Sequence, residues 1–150
     1  MKRYLSILSA AAAVIIMTSN PSEAARRIRF DDFYIGDTYQ AGVGLRPNIQ
    51  ISAKMENLNG QPVEIFGFMD GILPRDGSYF VLIKEPSFQC PFHTVSFDWA
   101  GFIPIFLAGS TDYIDGAVRV TGRLEVGAKE DETGMLSYIR IYDAKVERAQ

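Results

Sequence analysis

The sequence is poor in the residues that build disulfide frameworks, metal centres and imidazole-based active sites, because it has one cysteine, Cys90, and one histidine, His93. A single cysteine forms no disulfide within its own chain. In an oxidising compartment Cys90 must therefore be buried, paired with another molecule or used chemically. A single histidine leaves one imidazole as a general base, and no Gly-x-Ser-x-Gly nucleophile elbow occurs. The sequence predicts that the protein is not an enzyme.

Apolar runs long enough to cross a membrane are also lacking. Two basic residues precede the apolar stretch Leu5 to Met17, which is shorter than the roughly 20 residues that a membrane helix needs. Ser22-Glu23-Ala24 then places small residues three before and one before a cut after Ala24. These features predict a cleaved signal peptide over residues 1–24, a periplasmic location and a mature chain without a transmembrane segment. A retained N-terminal anchor is the alternative.

Positive charge is scarce in the predicted mature chain. Removal of residues 1–24 reduces the 15 basic and 18 acidic side chains to 13 and 17, a net charge of about −4. The nearest approach to a basic cluster is the trio Arg26, Arg27 and Arg29, which we expect to be a solvated tail. Phosphate binding draws its affinity from clustered Lys and Arg, so nucleic acid is not expected as a partner.

The 126 residues after the predicted cut suit a single domain. Residues 25–47 show no sustained apolar period, so they predict an irregular N-terminal lead-in, partly disordered or draped on the core. Several segments of residues 48–150 alternate between apolar and polar side chains, which predicts a domain made of strands. The expected core strands are Val63 to Met69, Tyr79 to Ile83, His93 to Trp99, Val118 to Val126 and Leu136 to Val146.

Two further segments are ambiguous. Ile49 to Met55 alternates like a strand, with a short helix through Met55 to Leu58 as the alternative. Phe102 to Ala108 is strongly apolar but contains Pro104, so we expect a short covering element or edge piece rather than a central strand.

Five strands with one apolar connector after the third favour an all-β fold, a small five-stranded OB-type barrel with Gly67 and Gly122 at bends. Closure into a barrel removes the exposed sheet edges that promote aggregation. An open sandwich is the rival architecture.

Four segments between residues 60 and 147 carry a recognisable pattern: Gly60, Val63, Gly67, Phe68 and Met69, the segment Asp76 to Leu82, Cys90-Pro91, and Val118, Val120, Gly122 and Leu124. By these residues the chain resembles, over residues 60–147, a family of small exported bacterial OB-fold proteins that carry a domain of unknown function. The resemblance implies an OB fold and an exported location and leaves the activity open. The chain departs from the family pattern after Cys90, where relatives have a second cysteine or a proline-rich run and this chain has Pro91-Phe92-His93.

Cys90 and His93 are the candidate metal ligands, because thiolate and imidazole bind zinc or copper. A structural zinc site needs four protein ligands, so carboxylates such as Asp98 or Glu85 would have to complete it. The competing interpretation is structural, since free cysteine is among the most buried residue types and His93 shares a face with Val95.

Two surfaces could bind a partner. OB barrels bind oligosaccharides and oligonucleotides on one strand face, so outward-facing aromatic residues could form a stacking platform there. Phe102 to Leu107 is either a docking patch or a plug of the barrel end. The aromatic candidates are Phe66, Phe68, Tyr79, Phe80, Phe97, Trp99, Tyr138 and Tyr142.

Two functional hypotheses result. The first is an exported cell-envelope OB-fold module, without a cofactor, that binds an envelope protein or a small ligand as an accessory to a transport or assembly system. The alternative is a metal- or thiol-handling periplasmic protein that uses Cys90 and His93.

Overall fold

The computed structural model describes residues 24–41, 49–70, 76–86, 96–131 and 134–150. These residues are mostly β-structure, with one short helix, α1, at Ala53–Leu58, so the prediction of an all-β protein is confirmed. Within the same residues no helix has the length and apolar composition of a membrane span. The strands are β1 (Arg26–Arg27), β2 (Tyr34–Ile35), β3 (Tyr39–Ala41), β4 (Gln50–Ile51), β5 (Pro62–Met69), β6 (Tyr79–Ile83), β7 (Ser96–Asp98), β8 (Phe102–Leu107), β9 (Ala117–Glu130) and β10 (Leu136–Arg148).

The main sheet has six strands in the order β1-β5-β6-β8-β10-β9, and β5 also pairs with β9. This last pairing is antiparallel and joins β5, β6, β8, β10 and β9 into a ring. The ring is partial, because the β5–β6 and the parallel β8–β10 ladders each have two residue pairs. Five strands were predicted for the domain; the sixth strand of the sheet is β1, which pairs parallel to β5.

The third strand of the ring is not the predicted one. Phe102–Leu107 was expected to be a covering or edge piece, yet it forms β8 between β6 and β10. The ladder from β8 to β10 begins at Ile105, so the nitrogen of Pro104 needs no ladder hydrogen bond on that side. The predicted strand from His93 to Trp99 is described from Ser96 onwards, where Ser96–Asp98 pairs with β3 outside the main sheet.

The predicted lead-in, expected to be irregular and partly disordered or draped on the core, is described in part. Residues 24–41 contribute β1, β2 and β3, and the side chains of Ile28, Phe30 and Phe33 are buried in the core. Arg26–Arg27 is a paired strand rather than a solvated tail, although both side chains are exposed. Residues 42–47 of the predicted lead-in lie outside the described residues.

The ambiguous segment after the lead-in is helical from Ala53 to Leu58, and the strand ends at Ile51. Ser52 caps the helix, since its side chain accepts a hydrogen bond from the Met55 backbone N–H at 3.2 Å. Met55 is fully buried and anchors α1 to the core.

The core fills the ring, and two glycines allow its strands to approach closely. A Cβ atom on Gly122 would lie 2.5 Å from Ile141 Cγ2 and 2.7 Å from the Tyr142 carbonyl oxygen. A Cβ atom on Gly67 would lie 2.6 Å from the Ile83 carbonyl oxygen. The ring strands bury Val63, Ile65, Phe80, Leu82, Ile103, Ile105, Val118, Val120, Leu124, Ile139 and Ile141.

Candidate functional site

The predicted metal ligands, Cys90 and His93, lie outside the described residues. The segment that carries them follows β6, which ends at Ile83, and precedes β7, which begins at Ser96. Among the residues that the structure does describe, no group of three or more His, Cys, Asp or Glu side chains is placed to hold a metal ion.

The predicted aromatic candidates divide between the core and the surface. Phe80 is fully buried and Trp99 is 6% exposed, so neither is available to a ligand. Phe66 is 37% exposed on β5. Tyr79 and Tyr142 are half-buried and lie on two strands of the ring.

Tyr79 and Tyr142 belong to a row of side chains that crosses four strands, which we call the aromatic stripe: Tyr79 on β6, Phe106 on β8, Tyr142 on β10 and Arg123 on β9. Tyr79 and Phe106 are cross-strand neighbours with ring centroids 5.1 Å apart. Phe106 and Tyr142 stack at 4.6 Å with planes 11° apart. The guanidinium of Arg123, opposite Tyr142 in the ladder, lies 5.7 Å from the centre of the Tyr142 ring.

The stripe lies between two connections of the ring. Tyr79 directly follows a turn in which Asp76 accepts hydrogen bonds from the Ser78 backbone and hydroxyl. The Tyr79 hydroxyl contacts Met135 Sδ at 3.3 Å, in the connection between β9 and β10. One end of the stripe is therefore held by both connections.

Charged groups continue the stripe over β9 and β10. Lys129 Nζ donates to the Tyr142 hydroxyl and to Glu125 Oε1, both at 3.1 Å, and its ammonium lies 5.0 Å from the centre of the Tyr142 ring. The hydrogen bond that Lys129 donates to Tyr142, and then the one it donates to Glu125, raise the pKa of Lys129. Arg123 pairs with Asp143 at 3.1 Å. The stripe thus combines aromatic rings with matched pairs of opposite charge.

Glu125 also pairs with a buried cation. Arg140 is 2% exposed and donates from Nε to Glu125 Oε1 at 2.8 Å. Burial alone would raise the pKa of Glu125, but hydrogen bonds from Arg140 and Lys129 outweigh it and lower that pKa below its usual value. Glu125 is therefore held as a carboxylate.

Sequence reasoning found part of this arrangement. Tyr79 and Tyr142 were among the aromatic candidates, whereas Phe106 was assigned to a docking patch or plug. Its place between the two tyrosines depends on the register of β8 with β6, which alternation of residue types does not reveal.

The geometry defines a mainly β domain whose partial ring carries one surface row of aromatic and charged groups. No protein-family model matches the chain, and a search of curated proteins finds no match either. Among solved structures, the chain is similar to a DUF3299 family protein from Pseudomonas aeruginosa, with a TM-score of 0.58 and 15% sequence identity. The similarity covers 85% of this chain and 97% of the other. At this identity it shows a shared fold with a bacterial domain of unknown function.

Proposed function

We propose that the chain is an exported, periplasmic binding module with an OB-type barrel, that it is not an enzyme, and that it binds its ligand across the aromatic stripe. The connectivity of the ring supports the barrel. Neighbouring strands of the five-stranded ring are antiparallel, except that β8 and β10 are parallel to each other. β10 lies between β8 and β9, so the spatial order of the last strands differs from their order in the chain. A five-stranded, partly open barrel with Greek-key connections is the OB architecture.

The position of the stripe is the observation that carries the proposal. OB barrels bind ligands on the face of their second and third strands, between the first and the fourth connections. In this ring those strands are β6 and β8, which carry Tyr79 and Phe106. The fourth connection, between β9 and β10, contributes Met135 against the Tyr79 hydroxyl.

The ligand we propose is an oligosaccharide. Nucleobases stack on open ring faces, whereas Phe106 and Tyr142 each turn one face toward the other. Lys129 and Arg140 already share the carboxylate of Glu125, whose side chain is only 29% exposed, which weakens both cations as phosphate ligands. Ring edges beside hydroxyl, ammonium and carboxylate groups instead suit a ligand rich in hydroxyl groups. Such a module would act as an accessory to a transport or assembly system of the envelope.

The test is an NMR titration of the ¹⁵N-labelled mature protein with N-acetylhexosamine and glucose tetrasaccharides and with single-stranded DNA. We expect saturable shifts in β6, β8 and β10 with a saccharide, and an affinity about tenfold weaker for Tyr142→Ala, because central aromatic anchors dominate binding energy. Tyr113→Ala, which removes an aromatic residue that is 51% exposed outside the stripe, is the control and should bind normally. Saccharide shifts confined to other strands, or tighter binding of DNA than of either saccharide, would contradict the proposal.

A further inference from the structure

A second surface lies on strands β1, β5, β9 and β10, away from the residues of the aromatic stripe. It is a cleft of about 270 Å³ lined by Phe66, Arg119, Glu147, Arg148 and Gln150. We call it the arginine cleft. Its chemistry differs from that of the stripe, because two guanidinium groups, those of Arg119 and Arg148, line it together with one exposed aromatic ring.

A ladder of ion pairs crosses the four strands beside the cleft. Arg27 Nε donates to Glu64 Oε1 at 3.0 Å, and Arg119 NH1 donates to Glu64 Oε2 at 3.2 Å. Arg119 also donates to Glu147 through Nε, at 2.6 Å, and through NH2. Arg119 is therefore shared between two carboxylates.

The two carboxylates differ in how firmly they are held. Glu64 uses both oxygens and its side chain is 15% exposed, so it is a fixed part of the sheet. Glu147 is 57% exposed, and both bonds from Arg119 end on its Oε1 atom. A guanidinium binds a carboxylate or phosphate best through two parallel bonds to two oxygens. Glu147 is thus a replaceable partner for Arg119.

The remaining walls of the cleft add an apolar surface and a further cation. The Arg27 guanidinium lies 4.8 Å from the centre of the Phe66 ring, which is 37% exposed. Arg148 donates from NH1 to the Asp115 carbonyl oxygen at 2.6 Å, which fixes its guanidinium at the cleft. A guanidinium has five N–H donors, so this bond leaves others for a ligand.

We propose that the arginine cleft binds an oxyanion, a carboxylate or a phosphate, joined to an apolar ring. The oxyanion replaces Glu147 and forms two parallel hydrogen bonds with Arg119, with Arg148 beside it. The ring packs against Phe66. This site is independent of the oligosaccharide proposal, because it shares no residue with the aromatic stripe.

The test is calorimetry on the mature protein at low ionic strength with three probes: phenyl phosphate, inorganic phosphate and phenol. We expect phenyl phosphate to bind most tightly and phenol not to bind. Glu147→Gln should bind both phosphates several-fold more tightly, because the internal competitor is lost. Arg119→Gln should bind them about tenfold more weakly, the effect expected for loss of hydrogen bonds to a charged group.

Two variants separate the parts of the site. Phe66→Leu should weaken phenyl phosphate several-fold and leave inorganic phosphate unchanged. Lys84→Gln is the matched control, because Lys84 is also ion-paired and is exposed to a similar degree, 44% against 43% for Arg119. Circular dichroism checks that each variant is folded. If Arg119→Gln is unfolded, the affinity of Glu147→Gln for the phosphates tests the proposal. No gain from Glu147→Gln, or equal losses from Arg119→Gln and Lys84→Gln, would overturn the proposal.

Discussion

Arg140 shows how this fold accommodates a buried charge at a single position. Its side chain is 2% exposed, yet each of its three nitrogens donates at least one hydrogen bond. NH1 donates to the Ser137 carbonyl oxygen at 3.1 Å and hydroxyl at 3.0 Å, NH2 donates to the Gly127 carbonyl oxygen at 2.8 Å, and Nε donates to Glu125. Because an unpaired buried cation is costly, Glu125 is the partner on which this position depends.

We predict that Glu125→Gln lowers the free energy of unfolding at pH 7 by about 1–3 kcal/mol, since it removes the charge that compensates Arg140. The lowered pKa of Glu125 also fixes the sign of a pH effect. Its stabilisation is fully present above the unfolded value, near 4.5, and is lost as the pH falls through the lower folded value.

Urea denaturation between pH 7 and pH 3 measures both effects. The loss of stability on acidification should be smaller in Glu125→Gln than in the unchanged protein. Glu56→Gln, at an exposed position of α1, is the control and should change the stability at pH 7 by less than about 0.5 kcal/mol. An equal loss of stability between pH 7 and pH 3 in Glu125→Gln and in the unchanged protein would show that this carboxylate does not contribute to the pH dependence of stability.

At the scale of the element, strands with regular alternation could be predicted from the sequence. The predicted strand Tyr79 to Ile83 coincides with β6, and Val118 to Val126 lies within β9. The predictions failed where the place of a strand depends on its pairing with strands distant in the sequence. Pro104 argued against a central strand, but its nitrogen lies before the point where the ladder with β10 begins. That position follows from the register of the two strands, which a local sequence pattern does not reveal. Half of the aromatic stripe was missed for the same reason.

The lead-in is the second element whose structure local patterns leave open. Three buried residues, Ile28, Phe30 and Phe33, are spaced too irregularly to suggest a helix or a strand. They are held by very short elements: β1 pairs with β5, a 3₁₀ turn spans Phe30–Asp32, and β2 pairs with β4. Tertiary packing, rather than local propensity, therefore orders this segment.

We predict that Phe33→Ala lowers the free energy of unfolding by about 3–5 kcal/mol, the usual effect of removing a fully buried aromatic ring. Phe33 is 0% exposed and contacts the Phe30 and Tyr34 rings at 5.3 Å and 6.0 Å between centroids. Ile35→Ala is the matched control in the same segment, since Ile35 is 53% exposed, and should have little effect. Thermal and urea denaturation compare the two variants; equal stabilities would mean that the lead-in is not part of the cooperative unit.

At the scale of the whole molecule, the first described strand lies next to the predicted signal-peptide cut. The cut after Ala24 leaves Ala25 as the first residue, and β1 begins at Arg26 in the main sheet. Ala24 and Ala25 are both exposed, so we expect substitutions at these two positions to leave the packing of the domain unchanged. Export and folding can therefore be tested separately at these two positions.

The export proposal predicts that the protein recovered from the periplasmic fraction has the intact mass of residues 25–150. Signal peptidase requires a small residue before the cut, so Ala24→Leu should keep its leader and remain with the membrane fraction. Ala25→Leu is the control, because it makes the same change one residue beyond the cut and should be processed normally. Mass spectrometry of the two fractions distinguishes these outcomes. A full-length chain in the cytoplasm, or identical masses for both variants, would contradict export and would remove the periplasmic saccharide from consideration as the ligand of the aromatic stripe.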